Sequence, residues 1–311
     1  MNIKTKNRNR LKGMVIIGRL LFLFFISGCV LFLGSYMFNE YKNMQEKNRK
    51  ESVFNNLSKE IRTKVDKFPG EVSIYIKDLQ TGIEISYNDS IPLPSASIVK
   101  IPIMVCVFQA VKDGNLGLDD KIKLTRHIKA AGSGLLKRRR SGREFTVREL
   151  MELMITESDN TATNMLVEKL GMDYINWLFA NKFDLKVTNL SRNIMDLNKR
   201  RNGIENFTTA KEIGMLLEKI YNGELVSREY SAMMLEILSR QKINDRIPRF
   251  LPSNLTIAHK TGLMDHLCHD SGIIFTPNGN FIICVLTNEI SSMRMAKRFI
   301  GDLAYKTYMC Y

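Results

Sequence analysis

Between Asp89 and Lys112 the chain carries one charged residue, Lys100, inside the run IVKIPIMVCVFQAV at 98–111. A stretch this apolar predicts a helix buried on all sides. An ammonium there is expensive to bury unless something uses it. Ser97 stands three residues earlier, one helical turn back and on the same face. A desolvated lysine has a depressed pKa and takes a proton from a neighbouring hydroxyl. Ser97 and Lys100 therefore read as a nucleophile with its base. Ser239 and Lys242 share the S-x-x-K spacing, but on an amphipathic, exposed stretch that reads as a chance match.

The surrounding pattern fits a packed fold. With 44% hydrophobic residues and only 19 Gly and 7 Pro among 311, the chain has the apolar mass for a core, which excludes wholesale disorder and collagen-like repeats. Residues 54–67 predict a helix. Val72 to Ile76 alternates as a half-buried strand and returns through Ile83 to Tyr87 as a hairpin. Residues 113–235 read as helices with connecting loops. The clearest is Val147 to Glu157, opened by a Thr146/Glu149 capping box. Gly171 ends the next one. Strands are predicted at 256–260, 272–276 and 281–287, then a closing helix at 292–308. Strands, helices, strands, helix is the order of an α/β fold: an antiparallel sheet of about five strands drawn from both chain ends (53–112 and 255–311), with flanking helices and an inserted all-α part (113–254).

The formal net charge of +14 raises a nucleic-acid reading, which its distribution dismisses. The first 50 residues carry 10 Lys+Arg and two acids, so more than half the excess lies there. It flanks Leu20 to Phe38, 19 residues without a charge, nearly long enough to span a bilayer core. The expectation is a basic cytoplasmic tail (1–19), a single transmembrane anchor (20–38), a polar stalk (39–52) and a domain outside the cell (53–311). Ile26-Ser27-Gly28-Cys29 resembles a lipoprotein-processing box, but apolar residues continue past Cys29. Five cysteines and four histidines show no metal-ligand spacing. His266, Cys268 and His269 read as an exposed loop.

Two further motifs join the Ser/Lys pair. Ser158-Asp159-Asn160 follows the 147–157 helix. Its polar side chains suit a helix cap; beside a nucleophile, Ser158 can also pass a proton to a leaving nitrogen. Lys260-Thr261-Gly262 closes the 256–260 strand, offering a cation and a hydroxyl to a substrate carboxylate, with Gly262 allowing close backbone approach. The set S-x-x-K, S-D-N and K-T-G, in this order on these elements, resembles the penicillin-recognising serine hydrolases, class A β-lactamases most closely. LPSASIVKIP (93–102), GSGLL (132–136), FTVRELMELMITESDNTATNML (145–166) and HKTG (259–262) extend the likeness. It covers roughly residues 54–311.

The resemblance implies Ser97 as the acylated nucleophile, Lys100 as its proton partner and Ser158 as a shuttle. It implies Asn160, Lys260, Thr261 and Gly262 at the substrate, and an oxyanion hole from the N–H groups of Ser97 and Leu263. It implies no metal or cofactor, and a β-lactam or D-Ala-D-Ala-like amide as substrate. One element departs. A class A enzyme activates its deacylating water with a glutamate in an E-x-x-L-N pattern, and aligning Arg192 and Leu197-Asn198 puts Ile194 at that place. Asp196, two residues on, is a candidate catalytic carboxylate or a loop-stabilising one. The alternatives to a β-lactamase are a D-Ala-D-Ala carboxypeptidase or penicillin-binding protein, or a non-turnover sensor. Lys137-Arg138-Arg139-Arg140 reads as a solvated charge run, able to touch anionic wall polymer or lipid headgroups.

Overall fold

The computed structural model describes residues 3–311; the side chains of residues 3–23, 26, 30 and 43 lie outside that description. The chain divides into two units, residues 1–53 and 54–311. Helix α1 (Ile3–Val65) supplies the first unit and continues into the second. Residues 39–52, expected as a stalk, are part of it. Among the described residues no helix is long and apolar enough to cross a membrane. The predicted span 20–38 includes Leu20, Leu21, Phe22, Leu23, Ile26 and Val30, and those side chains, with the basic tail's, are outside the described residues.

The second unit follows in chain order. β1 (Glu71–Asp78) and β2 (Glu84–Tyr87) form the first hairpin. The two-residue strand β3 (Leu93–Pro94) leads into a 3-10 turn at Ala96–Val99 and then α2 (Lys100–Lys112). β4 (Lys121–Lys123) pairs with β5 (Glu144–Thr146). α3 (Val147–Thr156), α4 (Asn160–Leu170), α5 (Met172–Asn181) and the short α6 (Leu197–Arg201) come next. β6 (Phe207–Thr208) pairs back to β3. After α7 (Ala210–Tyr221) and α8 (Arg228–Ser239) come β7 (Thr256–Met264), β8 (Leu267–Phe275), β9 (Phe281–Asn288) and α9 (Met293–Tyr308).

The sheet is five-stranded and antiparallel, in the order β2-β1-β9-β8-β7. Both chain ends build it, as expected. Its faces are covered by different layers, and β9 shows why its sequence is continuously apolar. Ile282, Cys284 and Leu286 enter one core with α2, α3, α4, α5, α7 and α8. Phe281, Ile283 and Val285 enter a second core with α9 and the end of α1, where Phe54, Leu57, Ile61 and Val65 recur on one helical face. A strand buried on both sides loses the polar alternation of a half-exposed one. The capping box at Thr146 forms in full: Glu149 N–H donates to Thr146 Oγ1 at 3.1 Å, and Thr146 N–H to Glu149 Oε2 at 2.7 Å. Gly171 ends α4 with φ +85°.

The structure corrects one expectation. Residues 266–269 are not an exposed loop: β8 begins at Leu267, and Cys268 and His269 are buried. Only the two residues Asp265 and His266 turn the β7–β8 hairpin. The helical part also carries the short strands β4, β5 and β6.

Candidate active site

Ser97 sits in the 3-10 turn between β3 and α2, preceded by Ala96 at φ +43°. A non-glycine residue there is strained, by about 1–3 kcal/mol, and such strain persists only where the surroundings hold it. Ser97 is half-buried and lines a cleft of about 200 Å³. Lys100 opens α2 and is fully buried.

Lys100 Nζ donates to the main-chain oxygen of Ser158 at 2.7 Å and to Asn160 Oδ1 at 2.8 Å, and lies 3.1 Å from Ser158 Oγ. Among the described residues, none of its hydrogen bonds goes to the Ser97 hydroxyl. Ser158 Oγ also accepts from Lys260 Nζ at 3.0 Å. One hydroxyl thus stands between two buried lysines. Burial pushes the Lys100 ammonium down to about 7, with the Asp159 carboxylate acting the other way. Burial, then the neighbouring Lys100 charge, holds Lys260 well below the usual lysine range. Both shifts act in one direction, making the neutral amine, which can accept a proton, easier to reach than in a free lysine.

The loop before the S-D-N segment is locked onto it. Asp159 Oδ2 accepts the N–H groups of Leu135 and Leu136 at 2.6 and 2.8 Å, while its Oδ1 caps α4 by accepting from Ala162 N–H at 2.9 Å. Asn160 N–H donates to Ser133 O at 3.2 Å, and Asn160 Nδ2 to Ala131 O at 2.8 Å. A Cβ on Gly134, at φ +104°, would fall 2.2 Å from Asp159 Cγ, so only glycine allows this approach. Within Ser158-Asp159-Asn160, Asp159 is the cap, while Ser158 and Asn160 face Lys100.

Lys260 and Thr261 are buried on β7; Gly262 follows, and Leu263 is half-exposed at the cleft. A Cβ at Gly262 would meet His269 at 3.1 Å and Ile98 at 3.2 Å, so the glycine seats β7 against the nucleophile turn. His269 was missed by sequence reasoning. Its Nε2 lies 2.8 Å from Pro94 O and its Nδ1 accepts from Thr287 N–H at 3.0 Å. A backbone donor on one nitrogen and a carbonyl on the other require the neutral ring, protonated at Nε2. Burial pushes it down to about 4.

The opposite wall is the 191–206 loop. Ile194, Met195 and Leu197 line the cleft, and Asn164 pins Ile194 through both main-chain groups. The loop ends are closed by Arg192, which donates to Glu205 Oε1 from Nε at 2.9 Å and Nη2 at 2.5 Å, and by Asn206, whose Oδ1 accepts Ser191 and Arg192 N–H. Arg200 adds a second contact to Glu205 at 3.2 Å. Asp196 is not brought into the cleft. Its carboxylate caps α6, accepting Lys199 N–H at 3.0 Å. The carboxylates that do line it are Glu205, held by two arginines, and Asp265 at the hairpin tip.

A family model described as "Beta-lactamase enzyme family" matches residues 56–311. Beta-lactamase VEB-1 of Pseudomonas aeruginosa is 24% identical over 238 residues, 72% of this chain and 80% of that protein. A beta-lactamase structure from Sphaerobacter thermophilus superposes with a TM-score of 0.75 at 30% identity, covering 81% of this chain and 95% of that one. A Leu→Glu mutant of PBP-A, solved as an acyl-enzyme complex with penicillin G, superposes with a TM-score of 0.77 at 28% identity, covering 82% and 96%. The matched span runs through all three motif segments, and the chain belongs to the beta-lactamase enzyme family and is a β-lactamase-like serine hydrolase.

Proposed function

We propose that Ser97 opens β-lactam amides by forming an acyl-enzyme that this protein clears slowly. The observation that carries the first half is Ser158 Oγ held between Lys100 and Lys260 at 3.1 and 3.0 Å. Neutral Lys100 takes the Ser97 proton as Oγ attacks the amide carbonyl carbon. The carbonyl π electrons move to oxygen, which the N–H groups of Ser97 and Leu263 stabilise. Collapse breaks the C–N bond, and Ser158 delivers a proton to the leaving nitrogen, replenished from the lysine on either side. Lys260 and Thr261 hold the substrate carboxylate, and Asn160 its amide. A mutant of the neighbour PBP-A trapped with penicillin G supports acylation on this scaffold.

Hydrolysis of the ester then needs a base aimed at a water. Ile194 lines the wall where the class A glutamate is expected, and Asp196 is turned into a helix cap. This apolar wall also favours a second reading, a penicillin-binding enzyme of D-Ala-D-Ala-like peptides or a single-turnover sensor. Incubating the protein with benzylpenicillin and with a chromogenic cephalosporin, beside Ser97→Ala, separates them: a β-lactamase turns over the cephalosporin repeatedly, the alternatives only once per Ser97.

The same proposal tethers the catalytic unit outside the cell through residues 20–38, with the N-terminal basic residues inside and Lys137 to Arg140 facing anionic wall polymer. A reporter fused after residue 45 is then accessible only from outside intact cells; a protected reporter reverses the orientation.

A further inference from the structure

Residues 121–143 contain nine Lys or Arg (Lys121, Lys123, Arg126, Lys129, Lys137, Arg138, Arg139, Arg140, Arg143) and no Asp or Glu. The unit 54–311 has 36 Lys+Arg against 29 Asp+Glu, so this one segment exceeds the unit's whole positive excess and the remainder is slightly acidic. The segment is folded back on itself. Leu124 N–H donates to Arg143 O at 2.8 Å, Gly142 N–H to Leu124 O at 2.8 Å, and Lys129 Nζ to Arg139 O at 2.5 Å. Among the described residues none of the nine makes an ion pair. Arg138, Arg139, Arg140 and Arg143 are exposed. Arg143 lies 5.9 Å over the Phe145 ring, which restrains its guanidinium without using its donors.

The patch adjoins the active site. Lys137 Nζ donates to the main-chain oxygen of Gly132, and Gly132 and Ser133 line the cleft. Like charges gathered in one segment repel one another, and a multivalent anion relieves that repulsion. Five of the nine are arginines, whose planar forks match phosphate oxygens two at a time.

We propose that residues 121–143 form a docking surface for a linear phosphate-bearing polymer, held at the rim of the Ser97 cleft. The inference rests on the extracellular, wall-facing reading above and gives that partner its chemistry. A linear polymer fits better than a lipid surface, because a bilayer laid across a patch contiguous with Gly132 and Ser133 would cover the cleft mouth.

The test uses the full-length protein in neutral detergent, with fluorescently labelled long-chain inorganic polyphosphate as probe. Binding falls steeply with salt, and Arg138→Glu with Arg139→Glu and Arg140→Glu weakens it by about tenfold or more at low salt. The equal charge change made at the exposed Lys67, Arg294 and Arg298 leaves affinity within about twofold. Benzylpenicillin acylation of Ser97 is unchanged in both triple variants, so the surface is tested separately from the serine chemistry. No polyphosphate binding, equal losses in the two triples, or binding confined to phosphatidylglycerol vesicles would each overturn the proposal.

Discussion

Asn164 holds the main chain of Ile194 on both sides: Oδ1 accepts Ile194 N–H at 2.9 Å and Nδ2 donates to Ile194 O at 3.1 Å. A helix in the packed core therefore fixes where the side chain at position 194 stands, and that side chain lines the cleft with Ser97. A branched sec-butyl group therefore stands where the class A resemblance expects the deacylating glutamate.

Ile194→Glu is accordingly expected to hasten loss of the penicilloyl adduct by up to about 100-fold, the lower end of what general-base assistance contributes. Asp196→Asn leaves deacylation within about twofold, because Asp196 serves the α6 cap and an asparagine caps nearly as well. Adduct decay followed by intact-protein mass spectrometry checks both; an Asp196→Asn variant that ceased to deacylate would make Asp196 the base.

In the proposed mechanism acylation depends on neutral Lys100. Its pKa is pushed down to about 7 by burial, so the reactive form fills as pH rises through 7. The second-order acylation rate should fall tenfold per unit below that point and level off above it. Stopped-flow acylation from pH 5 to 9 measures this; a midpoint near the ordinary lysine value would remove Lys100 as the base.

Arg192 and Glu205 form a nearly buried pair, 4% and 10% exposed, closing the 191–206 loop. Removing one partner leaves the other charge buried, a loss of about 3–5 kcal/mol. Glu205→Gln should therefore lower stability in urea titration by that order, and Arg200, 29% exposed and 3.2 Å from Glu205, loses the same partner and adds slightly to the loss. A change below about 1 kcal/mol, the worth of a surface pair, would show that the loop closes without it.

His269 ties β8 and β9 to Pro94, three residues before the nucleophile. Its folded pKa, about 4, lies below the ordinary 6.5. The unfolded chain therefore binds a proton first as pH falls, and stability drops from pH 6.5 down to about 4, by about 3 kcal/mol in full. His269→Gln should lose that component of the acid slope and acylate more slowly while keeping its fold. Superimposable stability–pH curves for the two proteins would assign His269 no such role.

Much of this was legible in the sequence because the signals were redundant. Lys100 is isolated in an apolar run, Thr146/Glu149 announces α3, and the three motifs lie where the strands and helices turn. The start of β8 was not legible. Leu267-Cys268-His269-Asp270-Ser271 has polar residues on both faces and reads as a loop, yet His269 meets Thr287 and Pro94, and Asp270 Oδ2 accepts Ile247 N–H at 3.0 Å. Those partners come from distant segments, and periodicity sees only neighbours. Asp159's grip on Leu135 and Leu136, and the Arg192–Glu205 closure, were hidden for the same reason.

The most direct measurement is the mass of the intact protein after mixing with benzylpenicillin. The expected result is addition of one penicilloyl group on Ser97, absent in Ser97→Ala and persisting for minutes, because Ile194 leaves the ester without a base. Rapid multiple-turnover hydrolysis with no detectable adduct would contradict it.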